Sequence, residues 1–143
     1  EAVIDFNLRL FKGKKMDKNS KIYIAGNTGM VGSAIHHQLQ SKGFSNFVFT
    51  PYSEYNLTNQ KIVEEFFERE KPDYVIDAAA KVGGILANST FRAQFIYENL
   101  MIQNNLIHSA YSNGVKKLLA GDIATGEKKP SWKKSAQITE LKI

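Results

Sequence analysis

The sequence predicts an α/β fold in which a parallel sheet is flanked by helices. Short apolar runs alternate along the chain with segments of helical periodicity, a pattern that calls for βαβ crossovers and parallel pairing. A glycine-rich turn, Gly26-Asn27-Thr28-Gly29-Met30-Val31-Gly32, joins the first apolar run to the first helical segment. Strand, glycine turn and helix in that order describe a Rossmann-type sheet. Only four strands are expected here, so it is a truncated one.

The elements follow in turn. Lys21-Ile22-Tyr23-Ile24-Ala25 reads as the first strand. Val31, Ile35 and Leu39 fall on one face of a helix over 29–42, with Gly43 suited to the position after its cap. Phe47-Val48-Phe49 is a second strand closed by Pro51. Thr58 is placed to cap a helix that buries Ile62, Val63, Phe66 and Phe67 and runs through Lys71, where Pro72 stops it. Asp73 to Ala78 is a third strand. A glycine-bearing loop over 81–90 leads to a long helix from about Thr90 to Ser112, with Phe95, Ile102, Leu106 and Ala110 on its sticky face. Gly114 ends it, and Val115 to Ala120 is a fourth strand. Ile138, Leu141 and Ile143 suit one short docked element, and 126–134 is polar and breaker-rich, the composition of a loop.

The glycine turn carries chemistry. A first glycine permits the tight turn, a second lets backbone approach a pyrophosphate, and a third lets the helix pack closely. The free N–H groups and dipole of the helix start then favour an anion. Gly26, Asn27, Thr28, Gly29, Met30, Val31 and Gly32 are therefore candidate cofactor-binding residues.

Composition narrows the function classes. Apolar residues make up 43% of 143, as in a globular domain, and there is no cysteine for a disulfide or thiolate site. No apolar run approaches the roughly 18 residues that span a bilayer, and the start lacks the pattern of a signal peptide. A cytoplasmic protein with no membrane partner is expected. The net charge of +5 lies in the arms: residues 19–125 carry nine basic and nine acidic residues. A nucleic-acid face would need its basic residues clustered on the fold itself, so no nucleic-acid partner is expected. His36, His37 and His108 have no ligand partners at metal spacing, and no metal is assigned.

Other constellations stand beside plainer readings. The end of the second strand, Thr50-Pro51-Tyr52-Ser53, offers neither the acid that binds a ribose 2′-OH nor the arginine that accepts a 2′-phosphate. Lys42 and His37 are substitutes for that arginine or simply a charged helix face. Asn56-Leu57 is an adenine-side contact or a turn before a helix. Ala78-Ala79-Ala80, at the carboxyl end of a strand, lets backbone meet a ligand or lets a helix pack closely. Lys81 is a ligand contact or a surface lysine.

The segment IYIAGNTGMVGSAI, then Asn56-Leu57-Thr58, then Ala78-Ala79-Ala80-Lys81-Val82-Gly83-Gly84-Ile85 with Ala87-Asn88, then Phe95-Ile96-Tyr97-Glu98-Asn99, resembles the GDP-L-fucose synthase family of extended short-chain dehydrogenase/reductases. The likeness covers roughly residues 20–120. It implies an NADP-dependent enzyme that epimerises and reduces GDP-4-keto-6-deoxymannose, with NAD not excluded. By that resemblance Tyr52 lies by the 2′-phosphate, Asn56 and Leu57 beside the adenosine, and Lys81 near the nicotinamide and sugar. Asn99 either supports the active site or faces solvent. A nucleotide sugar is the implied substrate, and a homodimer is compatible with the likeness.

This sequence departs from the family at the places where arginine is usual, which fall on Thr28 and Tyr52. It also lacks the catalytic pair. None of Tyr23, Tyr52, Tyr55, Tyr74, Tyr97 and Tyr111 has Lys four residues later, and Gly121-Asp122-Ile123-Ala124-Thr125 stands where the family has Ser-Ser-Cys. No catalytic residue is assigned. The expected organisation is an N-terminal extension over 1–19, with Met16 resembling a natural start and 1–15 suited to an edge strand. An incomplete NAD(P)-binding domain over 20–125 and a basic tail over 126–143 follow. The expected function is the dinucleotide-binding portion of such an enzyme, inactive as this chain. The alternatives are a non-catalytic nucleotide-binding module and a structural fragment that completes another chain's sheet.

Overall fold

The computed structural model describes residues 16–50, 56–81, 83 and 89–120, and the backbone of 139–141. The element order is β1 (Ile22–Ala25), α1 (Met30–Ser41), β2 (Phe47–Val48), α2 (Gln60–Glu70), β3 (Tyr74–Asp77), α3 (Arg92–Ser112), β4 (Lys117–Ala120) and β5 (Thr139–Leu141). The strands form one sheet in the order β2-β1-β3-β4-β5. The first four are parallel, with Ala25 opposite Asp77 and Asp77 opposite Ala120. β5 runs antiparallel to β4.

Strand alternation sorts the core into two layers. Ile22, Ile24, Ile76 and Leu119 pack with Ile35 and Leu39 of α1, and with Phe44 and Met16. Tyr23, Ala25, Val75, Leu118 and Ala120 pack on the other face with Val63, Phe66 and Phe67 of α2 and Ile102, Leu106 and Ala110 of α3. Near-continuous apolar strands are what a sheet covered on both sides requires.

Helix ends follow local chemistry. Gly43 and Gly114 have positive φ, and each closes a helix by the same pair of bonds. Phe44 N donates to Leu39 O and Gly43 N to Gln40 O, and Val115 N donates to Ala110 O and Gly114 N to Tyr111 O. This is the Schellman arrangement. Lys71 takes the left-handed conformation at the end of α2, a common way for a helix to stop, and Pro72 cannot continue it. At the amino ends of the strands, Asp73 accepts from Lys21 N at 2.9 Å and pairs with Lys116 Nζ at 2.7 Å. Those bonds hold the carboxyl below its usual range and tie β1, β3 and β4 together away from the glycine turn.

Several expectations are corrected. The cap of α2 is Asn59, whose Oδ1 accepts from Ile62 N. Thr58 instead donates to Asn56 Oδ1, from its backbone N at 3.0 Å and its hydroxyl at 2.7 Å, because an Asx turn reaches that hydroxyl first. Ile62 and Phe95 are half-buried, each at the rim of its helix's apolar face. Among the described residues the sheet has five strands, and β5 covers the β4 edge that four strands would leave open. Tyr52, residues 1–15 and residues 121–138 lie outside the described residues.

Candidate functional site

The glycine turn is built against the carboxyl ends of β1 and β3. Gly26 sits at φ +75°, and a Cβ there would stand 2.6 Å from Ala78 O and 2.8 Å from Ala79 Cα. Both the backbone angle and the space therefore demand glycine. A Cβ on Gly32 would stand 2.1 Å from Gly26 O and 2.7 Å from Gly26 C. The first turn of α1 is thus pressed onto the Gly26–Asn27 backbone, a closer approach than strand–helix packing alone. Gly29 differs. It is the extended N-cap of α1, and a Cβ there would meet only Gly26 O, at 3.3 Å, a tight contact but not a clash.

The amino end of α1 meets the requirements of an anion site. No side chain caps it and no acid lies in its first turn, which leaves orphan N–H groups at the positive end of the helix dipole. Beside those groups Met30 is 88% exposed and Val31 49%. Thr28 is exposed and Asn27 half-buried. A dinucleotide's pyrophosphate fits this arrangement, with the apolar pair available to its organic part.

β3 carries the second wall. Ala79 is buried, with Ala78 and Ala80 half-buried beside it. Ala78 N donates to Ala25 O at 3.0 Å, and Ala79 N donates to Asp77 Oδ1 at 3.0 Å. Lys81 follows. Its ammonium pairs with Glu98 and lies 6.0 Å from the Phe95 ring, and that hydrogen bond holds the Glu98 carboxyl below its usual range. Its backbone is held by Asn99, so Asn99 ties the loop to α3.

The adenosine-side candidates are placed by structural bonds. Asn56 Oδ1 serves the Asx turn, while Leu57 packs against the α2–α3 core layer and its carbonyl accepts from buried Asn105 Nδ2 at 2.9 Å. Thr50 is buried, and its hydroxyl bonds the Tyr23 phenol at 3.1 Å. Burial raises the Tyr23 phenol above its usual range. Thr50 is thus committed to the core. Sequence reading missed Asn105 and Asp77, whose only signal was a polar residue inside an otherwise apolar periodicity. Among the described residues no cluster of His, Cys, Asp or Glu is arranged to hold a metal, and no helix is long and apolar enough to cross a membrane.

Residues 22–122 match the NAD dependent epimerase/dehydratase family. The chain belongs to that family. Among similar proteins, the putative GDP-L-fucose synthase 2 of Arabidopsis thaliana is 60% identical over 104 residues, 73% of this chain and 32% of its own length. The GDP-L-fucose synthase of Escherichia coli K12 is 50% identical over 99 residues, 69% of this chain and 31% of its own. A GDP-D-glycero-L-gluco-heptose synthase from Campylobacter jejuni, solved in the presence of NADPH, superposes with a TM-score of 0.69 at 50% identity, covering 73% of this chain and 31% of that one. This epimerase/dehydratase-family chain therefore spans about a third of the length of the curated relatives it matches, and its likeness is to the N-terminal portion of GDP-L-fucose synthases.

Proposed function

We propose that residues 20–125 are the dinucleotide-binding portion of a GDP-L-fucose synthase-like enzyme, with NADP as cofactor and GDP-4-keto-6-deoxymannose as the substrate of the complete machinery. The observation that carries this is the glycine turn seated on Ala78–Ala79. Gly26 and Gly32 are required by packing, whereas Gly29, where a Cβ would press only on Gly26 O, stands at an uncapped helix start. In this reading the N–H groups at the start of α1 bind the pyrophosphate, and Met30 and Val31 border it. Ala78, Ala79, Ala80 and Lys81 line the path towards the reacting end, with Asn99 holding that backbone. Asn56, Leu57 and Tyr52 complete the adenosine side. The bound dinucleotide supplies hydride. Met16 and β5, from outside those bounds, pack with this unit, and the protein works in the cytoplasm.

Phe91, Ile96, Tyr97 and Leu100 are exposed along α3, which favours a second reading, a structural unit completed by another chain. Calorimetry with NADPH separates the two. Wild type should bind saturably, and Gly29→Val should not, since its bulk fills the approach to the backbone while its extended conformation suits valine. With no arginine at Thr28 or Tyr52, NADPH should be preferred over NADH by less than about tenfold, because a charge-assisted bond is worth about 1.5–3 kcal/mol. Equal affinity of Gly29→Val and wild type rules this site out.

A further inference from the structure

Asp77 is an acid inside the core, and the binding scheme above does not use it. It ends β3 with 5% of its surface exposed. Alternation along β3 places its side chain on the Tyr23 and Val75 face, under α2 and α3. Its Oδ1 accepts from Ala79 N. The same Ala78–Ala79 backbone fills the space where Gly26 has no Cβ. Carboxyl, strand end and glycine turn are therefore one continuous set of contacts.

We propose that Asp77 is a positioning residue for the dinucleotide turn: its carboxyl fixes the Ala78–Ala79 backbone against Gly26, and binding of an anionic dinucleotide is accompanied by proton uptake at that carboxyl. The proposal rests on the reading of the glycine turn as a pyrophosphate site. Burial pushes the Asp77 carboxyl up to about 7, against the opposing bond from Ala79 N. Among the described residues no cation acts on it. β1 presents the neutral Tyr23 phenol, and β4 presents Leu118 and Ala120. α2 and α3 present Val63, Phe66, Ile102 and Leu106 to this layer. Of their ionisable residues, Glu64 and His108 lie together at the surface.

A pyrophosphate on the turn brings negative charge to the backbone unit that Asp77 supports. A like charge nearby disfavours the ionised carboxylate. Oδ1 stays bonded to Ala79 N–H, and the other carboxyl oxygen takes the proton from solvent. Coupling is reciprocal, so a ligand that favours protonation binds more tightly when the proton is present. Affinity then falls as pH rises through about 7.

The test is calorimetry of the whole chain with NADPH at about pH 6 and pH 8, in buffers of different ionisation enthalpy. The NADPH phosphate titrates in the same range, so the quantity read is the difference between wild type and Asp77→Asn. Asparagine keeps an acceptor for Ala79 N–H and cannot titrate. Wild type should take up as much as about one proton more than Asp77→Asn, and the ratio of their affinities should change about three- to tenfold across that range. Asp77→Leu, which removes the acceptor, should bind weakly at both values. Identical proton uptake and pH dependence in wild type and Asp77→Asn overturn the linkage, and undiminished binding by Asp77→Leu overturns the positioning role. Absence of saturable binding by wild type at either pH overturns the pyrophosphate reading and the proposal with it.

Discussion

The side chain of Asn99 holds both backbone polar groups of Lys81. Its Oδ1 accepts from Lys81 N at 2.7 Å and its Nδ2 donates to Lys81 O at 3.1 Å. An element of the helical layer thereby sets the path of the loop that leaves β3. Asn99→Leu should release that loop. Two neutral hydrogen bonds contribute about 1–3 kcal/mol together, and the loss should fall on NADPH affinity more than on the melting temperature, because Lys81 is exposed. Asn99→Asp keeps the acceptor alone and should recover part of the affinity. A melting temperature lowered by several degrees with unchanged affinity would assign Asn99 to the fold alone.

Gly32→Ala should be a fold variant. Its methyl would lie 2.1 Å from Gly26 O, and the backbone it meets has no flexible end to swing away. Overpacking of this kind costs about 1–3 kcal/mol or more, although alanine is the better helix former. Urea unfolding of Gly32→Ala beside wild type checks it, and equal stability would mean that α1 sits further from the turn.

Stability should fall as pH rises towards neutrality because of Asp77. Its folded carboxyl lies at about 7, above the ordinary 3.8. Between those values the folded chain holds a proton that the unfolded chain has released, so protonation favours folding and that contribution fades with rising pH. The full gap corresponds to at most roughly 4 kcal/mol. Asp77→Asn should flatten the slope and be the more stable protein above about pH 7. Urea unfolding at pH 5 and pH 8 measures both, and a variant with the wild-type slope would exclude Asp77 as the source.

The chain by itself should not reduce a nucleotide sugar. Hydride transfer leaves an alkoxide that needs a proton, and a positioned general acid is worth about 10²–10⁴-fold. No tyrosine here has Lys at the fourth position after it. NADPH oxidation with GDP-4-keto-6-deoxymannose, followed at the cofactor's absorbance, should show no turnover above the uncatalysed rate. Turnover near about 1 s⁻¹ would demand another acid, with Tyr97 and Lys81 the first to mutate.

The parallel sheet was legible because its first, second and fourth apolar runs are closed by Gly26, Pro51 and Gly121 and the third follows Pro72, and each helix keeps its period. Gly26 and Gly32 were legible as a tight-turn glycine and a close-packing glycine because strand, turn and helix start are adjacent along the chain. The cap of α2 was misplaced by one residue: Thr58 and Asn59 are both good caps, and the Asx turn at Asn56 selects between them. The fifth strand was seen only as a short apolar element, since nothing local in Thr139–Leu141 states which edge it joins.

By itself the sequence determined what nearest neighbours along the chain decide: element type, the glycines that end two helices, the glycine turn and the absence of a Tyr-x-x-x-Lys pair. The tertiary structure decided what distant residues decide. It committed Thr50 to Tyr23 across 27 residues and Asn99 to Lys81 across 18. It also buried Asp77 on the layer under α2 and α3. A hydroxyl, an amide or a carboxyl carries the same label in any sequence. Its role depends on which partner is within about 3 Å and whether water is excluded, and only the folded chain sets both.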